Sequence, residues 1–390
     1  MEPPPLKIGA AIEHLRLRSG WKPLLPAEHP VLDAGPALCR ALAEPVAGTP
    51  LAELLVERRP RNVALIVPDI TRDAHQTALV PELLGLLRKA GVPADRVTIL
   101  IALGLHRALS DSELTDLLGE STATGCRIVQ PPADHSADFI YLGRTRRGTP
   151  LLLHRALVEA DFRLTLGEVD GHYFAGFSGG RKAVLPGCAA RPAVLANHSL
   201  VFREGRRDPA ADLGRLEGNP VAEDLAEAQR RLGVDFAVNV VNDTTGNLAT
   251  LTAGEPEAAF HSAVDLCRRL HSPAELKRKP LVIASAGGHP LDLDLRQSHK
   301  ALDNACRLLE PGGTLVFLAA CPEGVGSLKP WLRLGSAEAV RERIAREYSI
   351  PGQTAWSLLT KLERHRVLWV GRLTESDFGA VRPTIHATLA

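Results

Sequence analysis

Charge imbalance is nearly missing from this chain: 46 basic against 45 acidic side chains leave a formal net charge of +1 over 390 residues. Nothing in that balance favours nucleic acid or an anionic membrane surface. Long apolar runs are lacking too. The longest are strand-sized, well short of the roughly 20 residues that cross a bilayer. The opening MEPPPLKIGAAIEHLRLRSG has no sustained apolar core of the signal-peptide kind. Cysteines are few and scattered, at Cys39, Cys126, Cys188, Cys267, Cys306 and Cys321, with no CxxC pair and no tight framework. A chain this long folds without disulfides, so reduced thiols in a cytoplasm are the expectation. Low-complexity segments and sequence repeats are also missing.

What is present is an α/β rhythm. Hydrophobic residues at 45% are enough for sizeable cores, and the length is a soft argument for two domains. Asn62 to Val67 is a continuous apolar run, the pattern of a strand buried on both faces. Val97 to Ala102 repeats it, with a helix over Leu79 to Lys89 between them. Ser110 followed by Glu113 is a capping box that opens the next helix. Short strands are expected at 127–130, 139–142 and 162–166, then a helix from Asn219-Pro220 to about Leu232, a strand at 234–241 and a helix at 256–270. Proline and charge rise from Ser272 to Lys279, which places a domain boundary there. The rhythm then restarts: strand 280–284, helix 297–309 ended by Pro311-Gly312-Gly313, strand 314–320, helices 338–348 and 355–365, and strand 366–370. The expected fold is therefore α/β, with two α/β domains of largely parallel sheets at 1–272 and 273–390 and an active-site cleft between them.

One stretch organises the rest, GEVDGHYFAGFSGGRKAVLPGCAARPAVLANH at 167–198. It joins the 162–166 strand to a helix expected from Arg191 to Phe202. Its glycines let backbone approach a ligand closely, at the place where α/β proteins bind ligands. His172 is a candidate base, Lys182 a candidate nucleophile and His198 a candidate metal ligand. Three more polar clusters follow strand ends: Asp69 to Arg72, His106-Arg107, and Asp292 to Lys300. Parallel strands share one carboxyl edge, so such clusters can converge. Singly each is ordinary. A lone histidine after a strand is usually a hydrogen-bonded loop residue, Asp69 with Arg72 can be a turn cap, and a loop lysine is normally solvated.

In combination these motifs resemble the nickel-dependent lactate racemase (LarA-like) family: DITR at 69–72, LGLHR at 103–107, GHYFAGFSGGRKAVLPG at 171–187, NH at 197–198 and DLDLRQSHKAL at 292–302, in the family's order. The resemblance implies a racemase or epimerase of a small-molecule 2-hydroxy acid, working through hydride transfer and a transient planar 2-keto acid. It implies a nickel-pincer nucleotide (nickel pyridinium-3,5-bisthiocarboxylic acid mononucleotide) carrying Ni2+, and cofactor-synthesis proteins as partners. By the same resemblance Lys182 is the covalent anchor, His198 the nickel ligand, and His106 and His172 the two acid/base groups. Arg72 and Lys300 hold substrate, while Asp69, Thr71, Arg72, Ser178, Gly179 and Gly180 belong to the cofactor's surroundings. A keto acid that can be reduced on either face needs a proton-handling group on each, which fits two histidines.

Arg296, just before Gln297, is a departure: relatives acting on lactate carry Tyr there. A guanidinium suits a second carboxylate or a polyhydroxy chain, so malate-like diacids or sugar acids are the expected substrates. Arg181 is a second bulky cation in the loop. Arg296, Gln297 and Trp356 complete the expected substrate-binding set, with core packing the ordinary alternative for Trp356. Two other readings stand beside the racemase: a metal-dependent hydrolase or lyase built on the histidines, though these lack HExxH spacing, and a non-catalytic carrier of the cofactor.

Overall fold

The computed structural model describes residues 5–14, 20–21, 23–24, 29–119, 125–203, 205–271 and 277–386. They form two compact units. One runs through 29–201 and 208–271; the other gathers the N-terminal hairpin, 202–207 and the chain from 277 onward. The expected boundary at Ser272 to Lys279 falls mostly on 272–276, outside the described residues.

The larger unit is built on a six-stranded sheet: β1 (Val63–Pro68), β2 (Val97–Ala102), β3 (Arg127–Val129), β4 (Phe162–Glu168), β5 (Phe236–Asn242) and β6 (Leu248–Gly254). The spatial order is β6-β5-β4-β1-β2-β3, all parallel except the edge strand β6. Val63 to Val67 is wholly buried, as a continuous apolar run in a covered parallel sheet must be. Helices α1 (Ala34–Ala43), α2 (Leu51–Arg58), α3 (Gln76–Lys89) and α4 (Asp111–Leu118) contribute Leu38, Leu55 and Leu83 to the core around Leu65, Ile99, Phe162 and Phe236. Helix α4 begins at the capping box, with Ser110 and Glu113 satisfying each other's backbone amides. Helices α5 (Arg191–Ser199), α6 (Pro220–Leu232) and α7 (Pro256–His271) follow. Asn219 caps α6 through the Val221 and Ala222 amides, and Gly233 closes it in the left-handed region.

In the smaller unit β7 (Lys279–Ser285), β8 (Leu309–Leu318), β9 (Arg366–Val370) and β10 (Thr384–His386) form a fully parallel sheet in chain order. Helices α8 (Leu295–Cys306), α9 (Ala337–Arg346) and α10 (Ile350–Arg364) pack Leu302, Ile344 and Leu358 with Phe317 and Trp369. The buried Trp369 indole donates to the Ala319 carbonyl at 3.1 Å, so this large ring is buried without an orphaned N–H. The N-terminal hairpin (Leu6–Ile8 with Ala11–Glu13) belongs to this unit, and the Gly9 amide donates to buried Asp292 at 2.6 Å.

The α/β class and the parallel sheets agree with the sequence expectation. The strand expected at 139–142 is present as Phe139–Arg144, paired antiparallel with Pro150–His154 in a two-stranded ribbon outside the main sheet. Two local expectations need correction. Helix α8 stops at Cys306, and Pro311-Gly312-Gly313 lies inside the long strand β8, in the register shift between the Lys279–Leu309 and Leu281–Thr314 pairs, with Gly312 at φ +76°. Helix α5 stops at Ser199, and Phe202 joins a small ribbon with Arg207. No helix among the described residues is long and apolar enough to cross a membrane.

Candidate active site

The carboxyl ends of β1, β2 and β4 share one edge, and the Asp69 to Arg72, His106-Arg107 and 167–198 segments leave from it. Past β4, Gly171-His172 folds back antiparallel on Gly176-Phe177, with Gly176 opposite His172. Two glycines in this loop are irreplaceable on steric grounds. A Cβ on Gly176 (φ +77°) would stand 2.2 Å from the Arg215 carbonyl oxygen, and one on Gly179 (φ +112°) 2.5 Å from Val169. The Ser178 hydroxyl donates to the Glu168 carbonyl and accepts the Asp170 amide, both at 2.9 Å, so it holds the loop's own backbone. The Gly180 amide donates to Asn239 on β5 at 3.2 Å, which fixes the helical turn Gly180–Lys182 to the sheet.

Arg181 and Lys182, adjacent in sequence, part ways. Arg181 is buried, donates to Glu257 at 2.6 Å and to His261 at 2.9 Å, and lies 4.2 Å over the Phe260 ring, all on α7. It is a clamp between loop and helix. The Lys182 ammonium instead stands 5.9 Å from the centre of the Phe174 ring.

Phe174 is a hub. His172 meets it edge-on at 4.5 Å between centroids, and His198 at 5.1 Å. His198 sits in the last turn of α5, which buried Asn197 ties to Asp224 of α6 at 2.9 Å. Burial, with the Lys182 charge adding to it, pushes His198 down to about 3, against a weaker upward pull from the Val194 backbone. Its imidazole is neutral at physiological pH, and its buried Nδ1 has no hydrogen-bond partner among the described residues. His172 is buried and its Nδ1 accepts the Ala175 amide at 3.2 Å, which leaves the neutral ring's proton on Nε2.

His106 follows β2. Its Nδ1 lies 2.6 Å from the Asp69 carboxylate, which also accepts the Thr71 amide (3.0 Å) and hydroxyl (2.6 Å). Burial pushes Asp69 up, but the His106 hydrogen bond and charge and the Thr71 bonds outweigh it and hold the carboxyl below its ordinary value. Asp69 is therefore ionised and His106 Nδ1 donates to it, so Nε2 is the ring nitrogen left for proton transfer. The loop is drawn to the lysine segment by the Gly104 amide, which donates to the Gly187 carbonyl at 2.9 Å. Arg72 is half-buried, and its charge opposes the shift of Glu168, which burial pushes up to about 7.

In the smaller unit Lys300 donates to Gln297 at 2.7 Å on α8, whose N-terminus Asp294 caps. Arg296 is half-buried and makes no ion pair to a described residue; Asp292 instead accepts the Gly9 and Ala320 amides. Trp356 meets Phe202 at 5.3 Å and also lines a cavity of about 580 Å³.

Residues 14–208 match the lactate racemase N-terminal domain and residues 274–375 the lactate racemase C-terminal domain. The lactate racemase of Lactiplantibacillus plantarum is 31% identical over 345 residues, 87% of this chain and 80% of that protein. The chain belongs to the lactate racemase family. The lactate racemase of Thermoanaerobacterium thermosaccharolyticum is 32% identical over 340 residues, 85% of this chain and 78% of that one. The structure of the lactate racemase apoprotein from the same organism superposes with a TM-score of 0.88 at 27% identity, covering 99% of this chain and 92% of that one. A Thermotoga maritima protein shares the fold at a TM-score of 0.67 and 17% identity.

The chain is thus a racemase, and the hydrolase and carrier readings fall. Of the expected residues, the structure brings His172, Lys182 and His198 around one ring, and Asp69 and Thr71 to His106. Arg296, Gln297, Lys300 and Trp356 lie in the other unit. Sequence reasoning missed Phe174 and Glu168. Phe174 carries no signal beyond its place in the motif, whereas Glu168, an acid ending a buried strand before a glycine loop, could have been flagged.

Proposed function

We propose that this racemase interconverts the enantiomers of a 2-hydroxy acid, with lactate the first substrate to test because the relatives are named for it. The observation that carries the proposal is His106 held by an ionised Asp69, at the same sheet edge as the Lys182, His172 and His198 cluster. Asp69 fixes the His106 tautomer, so Nε2 is ready to take the substrate's hydroxyl proton. The Nε2–H of His172 is a hydrogen-bond donor to substrate oxygen. To accept a proton there, the ring must move its own proton to Nδ1 and release the Ala175 amide, a cost of about 1 kcal/mol. Arg72, and Lys300 with Gln297, are assigned to the substrate's carboxylate and oxygens.

The nickel-pincer nucleotide fits the residues around Lys182. A neutral buried imidazole with an orphaned Nδ1 suits Ni2+, and the His198 ring is aligned by Phe174. Lys182 would hold the nucleotide and His198 the metal, with Asp69, Thr71, Ser178, Gly179 and Gly180 shaping the pocket. When bound, this group would supply an electron-poor carbon that takes the substrate's α-hydrogen and returns it. Cofactor-synthesis proteins are then necessary partners, and the six unpaired cysteines suit a cytoplasm. Chiral chromatography of D- and L-lactate incubated with the cofactor-loaded protein tests the reading; failure to equilibrate any 2-hydroxy acid in a panel would overturn it.

A second reading concerns substrate. The relatives favour lactate, and nothing in them supports a diacid or sugar acid. What favours a second carboxylate is Arg296, a half-buried guanidinium without an ion-pair partner among the described residues.

A further inference from the structure

Asp170, Cys267 and His271 place a carboxylate oxygen, a thiol sulfur and an imidazole nitrogen all within 4.8 Å of one another. None of the three belongs to the site above. Cys267 and His271 are four residues apart on α7, hence on one face of the helix, and Asp170 reaches them from the loop after β4. The positions are held from behind. The His271 Nε2–H donates to the Asn242 carbonyl at 2.8 Å, the second-shell bond typical of a metal-ligating histidine, which leaves Nδ1 its lone pair. The Asp170 amide donates to the Ser178 hydroxyl and its carbonyl accepts the Ser178 amide, and one of its carboxylate oxygens already accepts the Gly171 amide at 2.7 Å.

We propose that Asp170, Cys267 and His271 form a second metal site, for Zn2+. Thiolate, imidazole and carboxylate together select zinc over Mg2+ or Ca2+, and three protein ligands leave a fourth tetrahedral position for water. Binding releases the thiol proton to solvent as the metal–sulfur bond forms, with no change of oxidation state. The ion would fasten the loop that starts the Lys182 segment to the end of α7. That is a structural role, separate from the nickel assigned to His198.

The test uses the full chain, dialysed against chelator and titrated with Zn2+ or Co2+ alone. A single equivalent should bind, Co2+ should give a thiolate-to-metal charge-transfer band, and Zn2+ should raise the melting temperature. Cys267→Ser should abolish the band, and the less buried His271→Ala should weaken Zn2+ binding by about a hundredfold or more. His198→Ala should leave the band unchanged. No uptake, no thiolate band, or a band that persists in Cys267→Ser each overturn the proposal. So does Zn2+ affinity that is unmoved in His271→Ala.

Discussion

The Asp69 carboxylate and the His106 ring lie 2.6 Å apart, although 37 residues separate them in sequence. The pair decides which ring nitrogen of His106 is the base. Asp69→Asn keeps the shape and can still satisfy Thr71, but it no longer demands a donor at Nδ1. The expected result is a fall in kcat of about a hundred- to ten-thousandfold with little change in KM. Substrate binding that collapses while kcat holds would show that Asp69 serves the pocket instead.

The same carboxylate gives a stability signature. Its folded pKa is below the ordinary 3.8, so at acid pH the unfolded chain binds this proton more readily than the folded one. The stabilisation is complete above the unfolded value and is lost as pH falls through the folded one. Urea midpoints at pH 7 and pH 3 should therefore differ more in the wild type than in Asp69→Asn. Equal differences would mean that folding leaves the Asp69 carboxyl unshifted.

Lys182→Ala should abolish covalent retention of the cofactor, read by intact mass of protein made alongside cofactor-synthesis proteins. His198→Ala should keep a mass adduct while binding nickel more weakly, because a metal ligand contributes affinity and geometry rather than attachment. Arg181→Lys makes a useful contrast. Its guanidinium is committed to Glu257, His261 and Phe260, so the substitution should lower stability by about 1–3 kcal/mol without removing the adduct. A normal adduct in Lys182→Ala would move the anchor elsewhere.

How much of this was legible in advance depends on how local the cause is. Val63 to Val67 announces a covered parallel strand by its own residues, and Ser110 with Glu113 or Asn219 with Pro220 announces a helix start. The glycine loop with Lys182 was likewise visible as a motif. Contacts made at long range were not. Nothing in the sequence tells Arg181 to find Glu257, or Phe174 to stand between His172 and His198. Pro311-Gly312-Gly313 reads as a stop, and it does interrupt the ladder: it falls in the register shift of β8 against β7, with Gly312 in the left-handed region, before pairing resumes at Thr314.

Arg296 supplies the last prediction. It stands near the start of α8, four residues before Lys300 and so on the same helix face. Lys300 is bonded to Gln297, whereas Arg296 has no ion-pair partner among the described residues; Asp294, its nearest acid in sequence, accepts the Gln297 amide as the cap of α8, and one oxygen of Asp292 accepts two backbone amides. A half-buried guanidinium is costly beside a methyl group and well matched to a carboxylate. If substrate reaches it, Arg296→Tyr should raise kcat/KM for lactate relative to malate by about ten- to a hundredfold, or roughly 1–3 kcal/mol in relative transition-state binding. Measuring both substrates with both proteins decides it. A ratio that stays constant assigns Arg296 to the surface of its own helix and leaves lactate, as in the named relatives, the better-supported substrate.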